Sequence, residues 1–110
     1  LAIVQACLYC ATAPKSNAAY MAMKASFKSA RDTGSLMPPQ NILNAPTKLM
    51  KEEGYGKGYK YSHDYPGNFA AQEFLPDEIK GTAFYTPGKN AREEDMRKRL
   101  KAMWKEKYGY

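Results

Sequence analysis

Residues 90–104 read NAREEDMRKRLKAMW, and this stretch decides the fold class. Asn90 is a favourable N-cap and Glu93 stands three residues later, the spacing of a capping box. Glu93, Glu94 and Asp95 fill the first turn, where the helix dipole favours carboxylates. Met96, Leu100, Met103 and Trp104 recur at helical spacing and make one apolar stripe. Cations follow: Arg97, Lys98, Arg99, Lys101, Lys105 and Lys107 stand against Glu106 alone. Cap, charge order and stripe all specify a helix.

Working outward, Ser16 can cap a second helix running to about Arg31. Its residues Tyr20, Met23, Phe27 and Ala30 form a stripe expected to face the core. Ala18, Ala22, Ala25 and Ser29 form a neighbouring face of small side chains, which lets another helix approach closely. Lys24, Lys28 and Arg31 form a third, basic face. Upstream, LAIVQACLYCAT (1–12) is apolar on nearly every side, the mark of a buried helix. With no capping residue before Leu1, it reads as the tail of a longer helix and the chain as a piece of a larger protein. Pro14 ends it.

Thr33-Gly34-Ser35 and Pro38-Pro39 mark a loop. Asn44 is expected to cap a short helix with Pro46 in its first turn, and Gly54 to close it in a left-handed cap. From Gly54 to about Pro87, glycine, proline and aromatics dominate, including Tyr55, Tyr59, Tyr61, Tyr65 and Tyr85. Loops, a short helix near Asn68–Phe74 and at most a small β-pairing are expected here. Phe69, Phe74, Leu75, Ile79, Phe84 and tyrosine rings should pack this layer over the helices. The fold class is therefore mainly α: one domain over 1–110 with four to five helices.

Composition narrows the function classes. The chain has 110 residues, 44% hydrophobic and 25% charged, the balance of a globular domain. No apolar run reaches the ~18 residues of a membrane span. Two cysteines are too few for a disulfide framework, so a reduced, cytoplasmic compartment is expected. Of the net charge of +6, five units fall between Arg97 and Lys107, a patch that suits an anionic partner or simply a solvated helix face.

No catalytic set assembles. Cys7-Leu-Tyr-Cys10 lies toward the C-terminal end of its helix, where the dipole disfavours a thiolate, and a four-ligand zinc site lacks partners. Buried small hydrophobes is the expected role. Gly54-Tyr-Gly-Lys-Gly58 lacks the Ser or Thr that follows the lysine of a nucleotide loop. It reads as a structural turn, or as a place where backbone approaches another chain or a phosphate. His63-Asp64 has no nucleophile beside it, and His63 reads as a hydrogen-bonded structural histidine. No metal and no cofactor are expected in this chain, and no enzymatic activity of its own.

Five strings then occur in order: APKSN (13–17), NAPTKLMK (44–51), GYGKGYKY (54–61) with His63-Asp64, AQEFLP (71–76), and Gly81 with FYTP (84–87). Together they resemble the C-terminal domain of the RarA/MgsA family of AAA+ ATPases, relatives of the Werner-helicase-interacting protein. The resemblance covers essentially the whole chain. It implies a clamp-loader-like protein acting in DNA replication, recombination and repair at stalled forks. Its ATPase core, with the ATP and magnesium sites, would lie N-terminal to this helical part, whose family role is tetramer assembly. DNA and single-strand-binding protein are further implied partners, in a nucleoid-associated setting.

On these grounds the candidate oligomer-interface residues are Ala18, Ala22, Ala25, Ser29, Tyr55, Tyr59 and Tyr61. The alternative is an autonomous, non-specific DNA-binding module. Its candidate contacts are Lys57 and Lys60, interleaved with tyrosines that can stack on bases, and Arg97, Arg99 and Lys101 of the terminal helix.

Overall fold

The computed structural model describes residues 1–110. Four α-helices, α1 (Ala2–Thr12), α2 (Ala18–Thr33), α3 (Lys48–Glu52) and α4 (Ala91–Trp104), are joined by extended segments. Those segments carry 3-10 turns at Gln40–Ile42, Ser62–Asp64, Pro66–Asn68 and Asp77–Ile79. There is no strand. No helix is long and apolar enough to cross a membrane.

α4 forms as its sequence dictates. The Asn90 side-chain oxygen accepts from the Glu93 backbone N–H at 3.0 Å. The Glu93 carboxylate does more than a capping box asks. It accepts from the Asn90 amide (2.6 Å) and the Tyr85 hydroxyl (3.2 Å), and also from Ser16 and the Gly88 backbone. Gly88 has no room for a side chain, since a Cβ there would lie 2.6 Å from Glu93 Oε2. One buried carboxylate thus ties together the starts of α2 and α4.

These donors, the Gly88 backbone first and Ser16 second, hold the Glu93 carboxyl below its ordinary value of 4.5. A depressed folded pKa contributes stability that is full above the unfolded value and lost as pH falls through the folded one. The wild-type domain should therefore lose a stabilising contribution on acidification below about pH 4.5, a loss absent from Glu93→Gln. Thermal melts of both proteins from pH 7 to pH 3 check this. Parallel pH profiles would show that the carboxylate charge does not contribute.

The Gly/Tyr-rich layer and the C-terminal tail meet at the end of α4. Phe69 meets Trp104 edge-on at 5.0 Å, with Phe74 at 6.4 Å and Tyr108 at 5.2 Å. Lys107 stands over the Trp104 ring at 5.0 Å and pairs with Glu73 at 2.9 Å. Burial alone would raise the Glu73 carboxyl, but Lys107 and the backbone N–H groups of Leu75 and Phe74 bring it below its ordinary value. Tyr110 closes the layer by donating to the Tyr85 carbonyl at 2.8 Å.

Several local expectations are corrected. α3 begins at Lys48, capped by Thr47, whose hydroxyl accepts from Met50 N at 3.2 Å. An Asn44 cap would make Ala45 the first helical residue, and the following Pro46 disfavours that conformation. The helix expected near Asn68–Phe74 is only the turn Pro66–Asn68. No β-pairing forms either. In its place the Gln72 side-chain amide grips the Lys60 backbone, accepting from its N–H at 3.1 Å and donating to its carbonyl at 2.8 Å. Asn41 donates to the Glu73 carbonyl at 3.1 Å and brings the Gln40–Ile42 turn onto the same segment. Gly54 does close α3 with a positive φ of 90°.

The larger correction concerns α1 and α2. The stripe Tyr20, Met23, Phe27 and Ala30 is open to solvent, with Phe27 58% exposed. The small-residue face is turned inward in part instead: Ala18 is buried and Ala22 and Ser29 are half-buried, while Ala25 is exposed. α1 buries none of its residues. No two α-helices approach closely enough to pack backbone against backbone.

Candidate interaction surfaces

A single chain of 12.4 kDa that closed its own core would expose about 6,100 Å². This one exposes 8762 Å² and buries only Ala18, Ala70, Pro87 and Glu93. Its radius of gyration is 17.6 Å, against about 13 Å for a compact domain of this length. Exposed large apolar side chains run from Leu1 to Met96, and about half of them lie on or beside α1 and α2. On α1, Leu1, Ile3, Val4, Leu8 and Tyr9 are all at least 56% exposed. On α2, Tyr20, Met21, Met23 and Phe27 lie beside Lys24, Lys28 and Arg31.

α1 is tied to the rest by one side only. The Tyr9 hydroxyl accepts from Arg92 at 3.0 Å, and the guanidinium lies 5.4 Å from the Tyr9 ring centre. Cys7 and Cys10 are free thiols, and both are exposed rather than buried. Below this joint, an open cleft of about 760 Å³ runs between residues 13–17 and 88–90, with Glu93 at its floor.

The sequence-selected residues fall into three groups. Ala18 is already covered by its own chain, Ala22 and Ser29 are half-covered, and Ala25 is exposed. Tyr55 is half-buried in the turn after α3, whereas Tyr59 and Tyr61 are each 54% exposed and Tyr61 leans on His63 at 5.1 Å. Lys57 is exposed, but the Lys60 ammonium is committed to the Ala71 carbonyl at 3.2 Å. On α4, Arg99 and Lys101 are exposed and make no ion pair. Arg97 has a structural task, bonding Glu94 at 3.1 Å and the carbonyls of Pro87 and Gly88. The tyrosine loop and the α4 cations do not converge on one site.

The open stripe Tyr20–Phe27 is the surface that sequence reasoning missed. Its period was visible, and the inward turn of the small face was the missing information.

Nor do residues Gly54–Gly58 form a nucleotide cradle. Lys57 is followed by Gly58 and an extended segment, not by a hydroxyl residue opening a helix. No group of three His, Cys, Asp or Glu side chains is placed to hold a metal ion.

Comparison with known proteins is consistent across its length. The profile of the family described as MgsA AAA+ ATPase C terminal matches residues 1–104. The chain belongs to this family. Relatives of the MgsA C-terminal domain include replication-associated recombination protein A of Coxiella burnetii, 45% identical over 101 residues. The protein of that name in Escherichia coli K12 is 51% identical over 87 residues, and ATPase WRNIP1 of Dictyostelium discoideum 34% over 87. The matches cover 91%, 78% and 76% of this chain but 23%, 20% and 10% of those proteins. The chain thus spans about a quarter or less of the curated relatives it matches.

Proposed function

We propose that this MgsA C-terminal domain is the assembly module of a RarA-type AAA+ ATPase that works on DNA in replication, recombination and repair. It joins copies of the protein, as a tetramer, by burying the open surface of α1 and α2. ATP and magnesium are then handled by the ATPase core outside these residues. The whole protein, cytoplasmic and nucleoid-associated, meets DNA and single-strand-binding protein. The observation that supports the assembly role is the surplus of exposed surface, 8762 Å² or about 2,600 Å² beyond a self-contained chain of this mass, with the large apolar side chains of α1 and α2 among what it exposes. Obligate interfaces between copies bury roughly 2,000–5,000 Å² in total, half on each partner.

Light scattering of the full-length protein and of a form lacking this domain tests the reading. The intact protein should have the mass of a closed oligomer and the shortened form that of single chains. A single-chain mass for the intact protein at micromolar concentration overturns it.

Direct DNA contact by α4 is the second reading, supported by the exposed, unpaired Arg99 and Lys101. Arg99→Glu with Lys101→Glu should weaken DNA binding and reduce its salt slope by about two, one per lost phosphate contact, with the assembled mass unchanged. Arg97 is left in place because it braces the start of α4. Equal affinity and equal salt slope in both proteins would remove α4 from the DNA path.

A further inference from the structure

One side of α4 is open along the whole helix, and its charge is unevenly spread. Ala91, Asp95, Lys98, Arg99, Lys101 and Ala102 are all exposed. Around Ala102 the cations gather. Lys98 and Arg99 lie one turn back, Lys101 precedes it, and Lys105 follows at the C-cap. All four are exposed and none is held in an ion pair. The exposed acids beside them are Asp95 and Glu106, while Glu94 is taken by Arg97. A helix C-terminus carries about half a negative charge, which these four cations outweigh.

We infer that this side of α4 lies in the major groove of double-stranded DNA, with Ala102 toward the groove floor and Arg99 and Lys101 reaching the two strands. This rests on the second reading above and names the form of nucleic acid that α4 meets. At about 100° per residue, Arg99 and Lys101 leave the helix about 160° apart. A single strand of phosphates cannot meet both, whereas a groove has a strand on each side. Ala91, Lys98 and Ala102 fall between them on the exposed side, and the two alanines keep that side of the helix slim. The major groove is about 12 Å wide and admits a helix.

The absence of rings points the same way. Single strands held without sequence preference are gripped by aromatic side chains that stack on bases. The open side of α4 has none, since Trp104 is half-buried against Phe69 and Tyr108. The exposed Tyr59 and Tyr61 belong to the loop after α3, away from these cations. What α4 offers is charge on two flanks of a narrow ridge, which suits phosphates bordering a groove.

The test uses the full-length protein with a fluorescently labelled DNA duplex and a labelled single strand of the same length, followed by anisotropy at several salt concentrations. Ala102→Glu puts a carboxylate on the midline at an exposed helical site. It should weaken duplex binding by about tenfold and leave single-strand binding unchanged. Arg99→Gln and Lys101→Gln should each lower the duplex salt slope by about one, and together by about two, because each serves a different strand. Circular dichroism and light scattering identical to wild type show that fold and assembly are kept.

Equal weakening on duplex and single strand overturns the groove placement and leaves α4 as a DNA contact. Unchanged duplex binding in Ala102→Glu, with Arg99→Gln and Lys101→Gln still lowering the slope, also overturns it, since the midline then faces away from the DNA. If none of the variants alters binding to either DNA, both the groove placement and the second reading fall.

Discussion

Phe27→Lys in the full-length protein should convert the assembled form to single chains at concentrations where the wild type remains associated. Phe27 is 58% exposed in the lone chain, so replacing it changes the folding stability of α2 little. In the assembly the same position would be buried. The substitution there removes an aromatic anchor and adds a fourth cation between Lys24 and Arg31, beside Lys28.

Truncating a central aromatic of an interface costs about 2–4 kcal/mol, which is roughly 30- to 1,000-fold in the dissociation constant. Sedimentation velocity over a concentration series reads the shift, and circular dichroism checks that helix content is kept. Lys57→Glu, an exposed change on the turn after α3, is the control and should leave the mass alone. If Phe27→Lys and the control sediment alike at every concentration, the α2 stripe lies outside the interface.

This expectation reverses the role that periodicity gave the stripe. Tyr20, Met23, Phe27 and Ala30 were grouped correctly as one face, because a 3.6-residue period fixes which side chains share a direction. Period does not say what lies in that direction. Here the small side chains at 18, 22 and 29 let the chain's own segments come close, and the large ones were left outside. The same limit explains α1. A helix apolar on every side must be covered, but its sequence is silent on whether its own chain or another does so. The two thiols expected inside are exposed for that reason.

α4, by contrast, was legible in its cap and extent, since these are local signals, although Asp95 falls outside the first turn and Met96 of the stripe stays exposed. Its buried hub was half-legible. The Asn90–Glu93 spacing could be seen, whereas Tyr85, Gly88 and Ser16 reach Glu93 only through the folded loops. The tyrosine-rich segment was the least legible part. Beside its rings on Trp104, Gln72, Asn41 and Glu73 bond backbone groups there, and such bonds carry no period and no composition signal. What could be recognised there was the string of residues itself, which the family profile over residues 1–104 then matched.

That segment supplies the largest expected effect on stability, through Trp104. The indole is the one side chain on which the Gly/Tyr-rich layer, the C-terminal tail and α4 all meet. Phe69 and Phe74 reach it edge-on from the layer, and Tyr108 and Lys107 from the tail. The tail is then fastened further out by the Lys107–Glu73 pair and by Tyr110 on the Tyr85 carbonyl.

Trp104→Ala takes away the surface that both segments rest on, and no other buried large side chain stands behind it. Truncating a packed tryptophan costs about 3–5 kcal/mol. The half-buried setting here places the expected loss near ~3 kcal/mol. For a domain of this length that is a fall in melting temperature on the order of 15 °C. Trp104→Phe retains an aromatic edge for Phe69 and Tyr108 and should lose about a third as much. Both are read from thermal melts in the far-ultraviolet, with the near-ultraviolet aromatic signal as a second probe of the layer. A fall of less than about 4 °C for Trp104→Ala would mean that the layer is held by the Gln72 and Asn41 hydrogen bonds, with the ring stack contributing little.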